Sequence, residues 1–241
     1  MEISWNEPTA YAGRVLEVEV PVLYEDDHLA VVVKPAGLAT NGNQFRTLEH
    51  ALPHNLTRSS ELGSFALPHP VHRLDLLTSG LLLVAKTFAA HAELARQFEE
   101  RSIEKTYTAL VHGTPPATGT LTTPVDDRPA QTDFQTINSW KTSAEEELSL
   151  LRLFPKTGRK HQLRVQLSEA GHPIVGDPIH CPRELRIIRR GLFLNATAIR
   201  FTHPVSGAQL SFESAVPGKF RKYPERKAMR FRSNSGLDQI F

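Results

Sequence analysis

His72-Arg73-Leu74-Asp75-Leu76-Leu77-Thr78-Ser79-Gly80-Leu81-Leu82-Leu83-Val84-Ala85-Lys86 carries the deciding pattern of this chain. A charged cluster, His72, Arg73 and Asp75, precedes the small-residue turn Thr78-Ser79-Gly80, and the turn opens into the apolar run Leu81–Ala85. A short apolar run bounded by a turn signal reads as a buried strand. That reading brings Asp75 close to the core, near an Arg that favours its charged form. Carboxylates are kept out of such places unless paired. Asp75 is therefore either a salt-bridged residue at the start of a strand or a residue placed there for its chemistry.

Upstream of this stretch, His28–Lys34 is β-branched and apolar and predicts a buried strand that stops at the turn Lys34-Pro35-Ala36-Gly37-Leu38. Proline fixes one turn position, and Gly37 can supply a positive φ. Val15–Val20 alternates and predicts an edge strand. Residues 53–70 read as loop, with Pro53, Gly63, Pro68 and Pro70. Downstream, Thr87 is placed to cap a helix over Phe88–Ile103 whose apolar face is Ala92, Ala95, Phe98 and Ile103. Lys105–Val111 predicts a strand ending at Gly113, and residues 114–130 a loop with room for one short strand. Asp133–Trp140 and Leu148–Phe154 outline a hairpin across the acidic turn Glu145-Glu146-Glu147. A basic loop, Pro155–Lys160, leads into a helix over His161–Glu169, which Gly171 stops. Residues 172–190 are irregular and basic, and Phe193–Phe201 and Gln209–Phe212 predict closing strands around the turn His203–Gly207. Strands outnumber helices, no repeat is visible, and no regular βαβ rhythm appears.

At 241 residues the chain is long enough for one large domain or two small ones. Its 40% apolar and 22% charged residues are those of an ordinary globular protein. No apolar stretch approaches the ~20 residues that cross a bilayer, and the N-terminus lacks the basic start and apolar core of a secretory signal, so a cytoplasmic location is expected. Cys181 is the only cysteine, which excludes an internal disulfide and a Cys-cluster metal site. Among 11 His, the close groupings His69-x-x-His72 and His180-Cys181 have neither a helix context nor an acidic partner at ligand spacing, so no metal is expected. No P-loop and no Gly-x-Gly-x-x-Gly occurs, which leaves nucleotide binding unsupported. The net charge of +2 conceals a division. Residues 1–150 carry 11 Lys/Arg against 20 Asp/Glu, and residues 151–241 carry 17 against 6. From Lys219 to Arg232 there are seven Lys/Arg and one Glu. Such a basic half suits a polyanionic partner, unless the two halves interweave in space.

Three more stretches complete the pattern: Glu104-Lys105-Thr106-Tyr107, Gly158-Arg159-Lys160-His161-Gln162-Leu163-Arg164-Val165-Gln166, and His172-Pro173-Ile174-Val175-Gly176-Asp177-Pro178. Together with the 72–86 signature and the Lys-Pro-x-Gly-Leu turn, they resemble the RluA-type pseudouridine synthases, which isomerise chosen uridines in RNA. Matching residues span about Tyr24 to Pro217. The departures are Lys160 for a usual Thr, Gln166 for a usual His, and His180-Cys181 where Tyr-Gly is common.

The resemblance implies an α/β chain of α+β type with a mixed, largely antiparallel central sheet flanked by helices and loops. It implies a single catalytic domain, with its core at about 21–217, an N-terminal extension at 1–20, a basic tail at 218–241 and no separate N-terminal RNA-binding domain. Asp75 would be the catalytic carboxylate, Arg164 the cation paired with it, and Tyr107 the aromatic face against the target base, where stacking is worth ~1–3 kcal/mol. Leu163, with Leu74 and Leu76, would line an apolar pocket, Arg73 would fill the stack vacated by the flipped base, and Arg159 and Lys160 would contact phosphate. The partner is RNA, transfer or ribosomal, and the chain is expected to act as a monomer with no cofactor, metal or membrane. Breaking the N-glycosidic bond and rejoining uracil through carbon 5 loses no group. A carboxylate can serve as nucleophile at the anomeric carbon or remove the 2′ proton, and the sequence does not choose between these. A non-catalytic RNA-binding or RNA-folding protein on the same scaffold, or a hydrolase of the glycosidic bond, is the alternative.

Overall fold

Ser79–Thr87 forms β4, the strand expected after the charged cluster, and Leu29–Lys34 forms β2, antiparallel to it along its whole length. Leu29, Val31, Leu81 and Leu83 face one side, where Leu94 of helix α2 (Phe88–Glu99) packs on them. Ala30, Val32, Leu82 and Val84 face the other, against Leu48, Ala51 and Leu52 of helix α1 (Leu48–Asn55). A strand covered on both faces reads as a continuous apolar run rather than an alternation, which is why the 81–85 stretch was so legible.

The computed structural model describes residues 14–142, 146–186 and 190–234. Its other elements are β1 (Val22–Glu25), β3 (Ser64–Pro70), β5 (Glu104–His112), β6 (Thr118–Leu121), β7 (Thr132–Lys141), β8 (Glu147–Pro155), α3 (Gln162–Glu169), β9 (Leu194–Thr202), β10 (Gln209–Glu213) and α4 (Lys219–Asn234). The strands form one mixed sheet in the order β1-β2-β4-β9-β5-β8-β7-β6, with β3 added to β4 and β10 to β9. Among the described strands every pairing is antiparallel except β4 with β9. That parallel contact is short, Ser79 opposite Asn195 and Gly80 opposite Ala196. Beyond it β4 turns to β3 and β9 turns to β10, so the sheet forks. Gly80 makes the joint possible: at φ +118° its Cα sits where an added Cβ would lie 2.2 Å from the Ala196 carbonyl oxygen.

A second core lies beyond the fork. There Ala109–Val111 of β5 and Leu148, Leu151 and Leu153 of β8 pack with Leu163 and Leu167 of α3 and with Phe220 of α4. No described helix is long and apolar enough to cross a membrane.

Several expectations need correction. Val15–Val20 forms no strand. Its alternation is real, since Leu16, Val18 and Val20 turn inward, but its hydrogen bonds go to α1. The Leu16 N–H donates to the His50 carbonyl at 2.8 Å, and the Asn55 amide donates to the Val18 carbonyl and accepts from the Val20 N–H, both at 2.8 Å. Residues 53–70 hold the end of α1 and all of β3. Pro68 and Pro70 are tolerated in β3 because it pairs with β4 on one side only. Helix α2 is capped by the Thr87 hydroxyl, which accepts from the Ala90 N–H at 3.2 Å, but it ends at Glu99, before Arg101 turns the chain at φ +59°. Its buried face is Ala90, Leu94 and Gln97, while Ala92 is exposed. Leu94, with the expected Phe98 and Ile103, sets the inward direction. The basic segment from Lys219 is a helix docked on the core. Phe220 is buried against Phe193, and Lys227 pairs with Glu146 at 3.0 Å. Of the expected acidic turn, Glu145 lies outside the described residues.

Candidate active site

The segment Leu74–Thr78 is pinned from behind by the turn that ends β2. The Thr40 hydroxyl donates to the Leu74 carbonyl at 3.0 Å and accepts the Leu74 N–H at 3.1 Å. The Gly37 N–H donates to the Leu76 carbonyl at 2.8 Å. The Lys34 ammonium, fully buried, donates to the carbonyls of Leu38 at 2.7 Å and Pro35 at 3.0 Å. Burial lowers its pKa to about 8, opposed in part by the negative charge of Asp75. The Asp75 carbonyl closes the turn by accepting from the Thr78 N–H at 3.0 Å. Lys-Pro-x-Gly-Leu is thus more than a strand terminator: with Thr40 it is the platform under Asp75. Neither Lys34 nor Thr40 was expected to serve the site from sequence.

On the opposite wall, the Arg164 guanidinium of α3 stands with Nη1 3.3 Å from Asp75 Oδ2. Its stronger hold is elsewhere. Nε and Nη2 make a two-pronged pair with Asp177, at 2.7 and 2.8 Å, with both side chains almost fully buried. Burial alone would push the Asp177 carboxyl up, but Arg164 and the N–H groups of His180 and Ile179 outweigh it and hold it below the usual range. The pairing of Arg164 with Asp75 is therefore present but secondary: Asp177 aims the guanidinium, leaving one nitrogen for Asp75. Asp177 was quoted in the sequence without a role. An Asp directly after the apolar run Ile174-Val175-Gly176 needs a cation if it is buried, and that is the signal that could have found it. It is placed by Val175, whose N–H donates to the Leu110 carbonyl of β5, and by Gly176, whose φ of +76° turns the chain under α3.

Helix α3 is anchored by its other faces. The Gln166 amide donates to the carbonyls of Leu121, Thr123 and Ala130 and accepts from the Thr132 hydroxyl. Gln166, one of the departures from the resembled motif, is thus fully satisfied in a buried position. His161 precedes the helix in the left-handed region, φ +54°, which aims its ring into the cleft. Nε2 is 3.8 Å from Asp75 Oδ2, and Nδ1 is 3.0 Å from His180 Nε2.

These walls enclose a cleft of about 740 Å³ that contains Asp75, Tyr107 and Arg164 together. Tyr107 is half-buried on β5 opposite Ala196, just past the fork. Burial and the charge of Asp75 push its phenol far above the ordinary range, so it stays neutral. Leu74 and Leu163 line the cleft as buried residues, and Leu76 lines it exposed. Arg73 and Lys160 are exposed at its edge, and Arg159 is half-buried there, its Nε 3.4 Å from the Pro129 carbonyl. His72 is turned away from this chemistry: its Nε2 accepts the Leu83 N–H at 3.1 Å, and burial together with the Lys105 ammonium lowers its pKa to about 3. Among the described residues, no group of three or more His, Cys, Asp or Glu side chains is arranged to hold a metal ion.

Comparison with known proteins places the chain in a family. Residues 28–169 match the family described as RNA pseudouridylate synthase. A ribosomal large subunit pseudouridine synthase D of Zymomonas mobilis is 36% identical over 230 residues, covering 83% of this chain and 70% of that protein. The dual-specificity RNA pseudouridine synthase RluA of Escherichia coli is 35% identical over 209 residues, covering 80% of this chain and 91% of the relative. The solved structure of human RNA pseudouridylate synthase domain containing 1 overlays with a TM-score of 0.70 at 26% identity, covering 83% of this chain and 84% of that one. With a matched family across most of the chain and relatives above a third identical, this protein belongs to the RNA pseudouridine synthases of RluA type.

Proposed function

We propose that the protein converts uridine to pseudouridine in structured RNA, transfer or ribosomal, with Asp75 as the reacting carboxylate. The observation that carries the reading is the arrangement around Asp75. Its carboxylate opens into a cleft sized for a nucleotide, a buried guanidinium offers it one nitrogen, and a neutral tyrosine lines the same cleft. A carboxylate so placed can attack the anomeric carbon or take the 2′ proton. Leu74, Leu163 and Tyr107 would hold the released uracil away from water while it turns. Reaching a base inside folded RNA requires flipping it out, at a cost of a few kcal/mol, and Arg73 at the cleft edge would occupy the gap. Arg159 and Lys160 would meet phosphates, so binding should weaken steadily as salt rises.

The ribosomal relative supports ribosomal RNA as a substrate, and the dual-specificity relative supports more than one target. The test is incubation of the protein with unmodified transcripts of ribosomal and transfer RNA, followed by mapping of pseudouridine. Pseudouridine at discrete positions, lost in Asp75→Asn while RNA binding persists, supports the proposal. Binding without product favours the non-catalytic alternative, and free uracil favours hydrolysis.

A further inference from the structure

The helix α4 is strongly basic, and the chemistry proposed for the cleft uses none of its charge. At about 100° per residue, its side chains divide into two arcs. Phe220 and Tyr223 point inward against the Phe193 ring, and Lys227 leaves the same side to reach Glu146 at 3.0 Å. Arg221, Lys222 and Arg226 fall on the other arc and are exposed. One acidic group shares that arc, the half-buried Glu225, at 3.9 Å from Arg221. Lys222 and Arg226 have no ion-pair partner among the described residues. Arg190 adds to this face from outside the helix, its guanidinium 5.9 Å from the centre of the Tyr223 ring. The charges of Lys219 and Lys227 serve the fold, on the Leu192 carbonyl and on Glu146. Those of Lys222, Arg226 and Arg190 do not.

This face lies on the far side of the sheet from the cleft. Successive residues of an extended strand point to opposite faces. Leu194 lines the cleft, and Phe193, just before it, packs on Phe220. On β5, Tyr107 lines the cleft, and His112, an odd number of residues further on, stands 3.3 Å from the Glu146 that holds Lys227. The loop after α3 joins the two sides. Ile179 lines the cleft, and the Arg186 guanidinium donates to the carbonyls of Cys181 at 2.7 Å and Ile179 at 3.2 Å. Arg183 is exposed along the way, beside Glu184, and Lys219 Nζ closes the loop on the Leu192 carbonyl at 2.8 Å. Even fully extended, the chain from Ile179 to Arg190 reaches at most ~40 Å, a span that a folded RNA can cover.

A basic amphipathic helix can also lie on a membrane, but only by sinking its apolar face into lipid. In α4 that face is already packed against Phe193. The outer arc offers cations, which suit a phosphate backbone. Resting on the function proposed above, we infer that the outer face of α4, with Arg190, is a second RNA-binding surface. It holds the backbone of the same RNA at a segment away from the target uridine, while the cleft holds the uridine. Phosphate contacts position an RNA without reading its sequence, so this surface favours RNA that is folded and extensive enough to reach both faces.

The test compares full ribosomal and transfer RNA transcripts with a minimal stem-loop cut around whichever uridine the protein modifies. Arg221→Gln, Lys222→Gln and Arg226→Gln are combined in one variant. On the full transcript its KM should rise about 10-fold at unchanged kcat, and the log–log salt slope of binding should become shallower by about 2–3. On the stem-loop it should match the unaltered protein. Arg221→Lys with Arg226→Lys, which keeps every charge, should behave as the unaltered protein on both RNAs. An unchanged KM and salt slope overturns the inference and leaves the proposed function intact. So does an equal loss on both RNAs, which assigns the effect to the cleft or to the fold. If polyglutamate displaces the full transcript from the unaltered protein but not from the variant, an acidic polypeptide is the partner of this face and the inference falls. If the unaltered protein makes no pseudouridine, the proposed function falls, and the salt slope of transcript binding alone decides the surface. Should the triple variant melt early, Lys222→Gln with Arg226→Gln takes its place.

Discussion

Two aspartates in this protein have nearly the same exposure, and each has a tyrosine and a histidine nearby, yet they are opposites. Asp26 is 26% exposed and Asp75 25%. Asp26 spends every lone pair. Oδ1 accepts the N–H groups of His28 at 2.7 Å and Leu29 at 2.9 Å, and Oδ2 accepts the Tyr24 hydroxyl at 2.7 Å and His203 Nε2 at 2.8 Å. The direction of the last bond is fixed, because His203 Nδ1 accepts the N–H groups of Val205 and Ser206. Asp75 accepts a single long bond from Arg164, at 3.3 Å, and its histidine stands off at 3.8 Å. Burial and residue type do not separate the bonded carboxylate from the one proposed to react. Unspent hydrogen-bonding capacity does.

Replacing each carboxylate by its amide breaks or sharpens this contrast. The largest effect is expected at Asp75. Asp75→Asn should lower pseudouridine formation by at least ~10²–10⁴-fold and leave thermal stability nearly unchanged, since little bonding is lost. A large fall in melting temperature would put Asp75 in the same class as Asp26. Next comes Asp177→Asn, which leaves the buried Arg164 charge half-matched. Loss of ~3–5 kcal/mol in denaturant unfolding is expected, with activity lost as Arg164 swings away from Asp75.

The third effect is a pH dependence. Burial pushes the Asp26 carboxyl up, but Tyr24, the Leu29 and His28 N–H groups and His203 outweigh it and hold it at about 2. A group depressed in the fold stabilises the protein above its unfolded value near 3.9 and loses that contribution as pH falls toward 2. Acid unfolding should therefore show a loss of ~2 kcal/mol over this window, absent in Asp26→Asn, whose pseudouridine formation at neutral pH should match the unaltered protein. Smallest is Tyr24→Phe. Removing one of four bonds should cost ~1 kcal/mol, read by thermal melts, and leave RNA turnover untouched.

The sequence made the central strands and the motif residues legible for physical reasons. Strand β4 is covered on both faces, so its apolar run needed no periodicity to be read, and the turn before it had to contain glycine. Asp75, Tyr107 and Arg164 were named in advance and share one cleft. Less legible was whatever depended on contacts distant in sequence. Asp177 was unassigned because nothing local shows that Arg164 lies against it. Helix α1 and strand β3 were concealed by prolines, which argue against regular structure until one sees which edge is free. The stretch Val15–Val20 had the right inward residues and the wrong partner, because alternation reports a buried face and is silent on what supplies the hydrogen bonds. The apolar face of α2 was right at Phe98 and at Ile103 just beyond it, which pack with Leu94, and wrong at Ala92, because alanine's small size gives little direction.

Gly80 pressed against Ala196 has a consequence for how the enzyme comes to exist. The strand entrance that carries Asp75 is clasped by β9, more than a hundred positions further along the polypeptide. Contacts so remote in sequence close late. A ribosome that has finished the charged cluster has made Asp75 but not its setting, and it must translate past Ala196 before that carboxylate has a fixed address. Nascent chains halted before this point should be unable to modify RNA, so activity waits on the synthesis of β9.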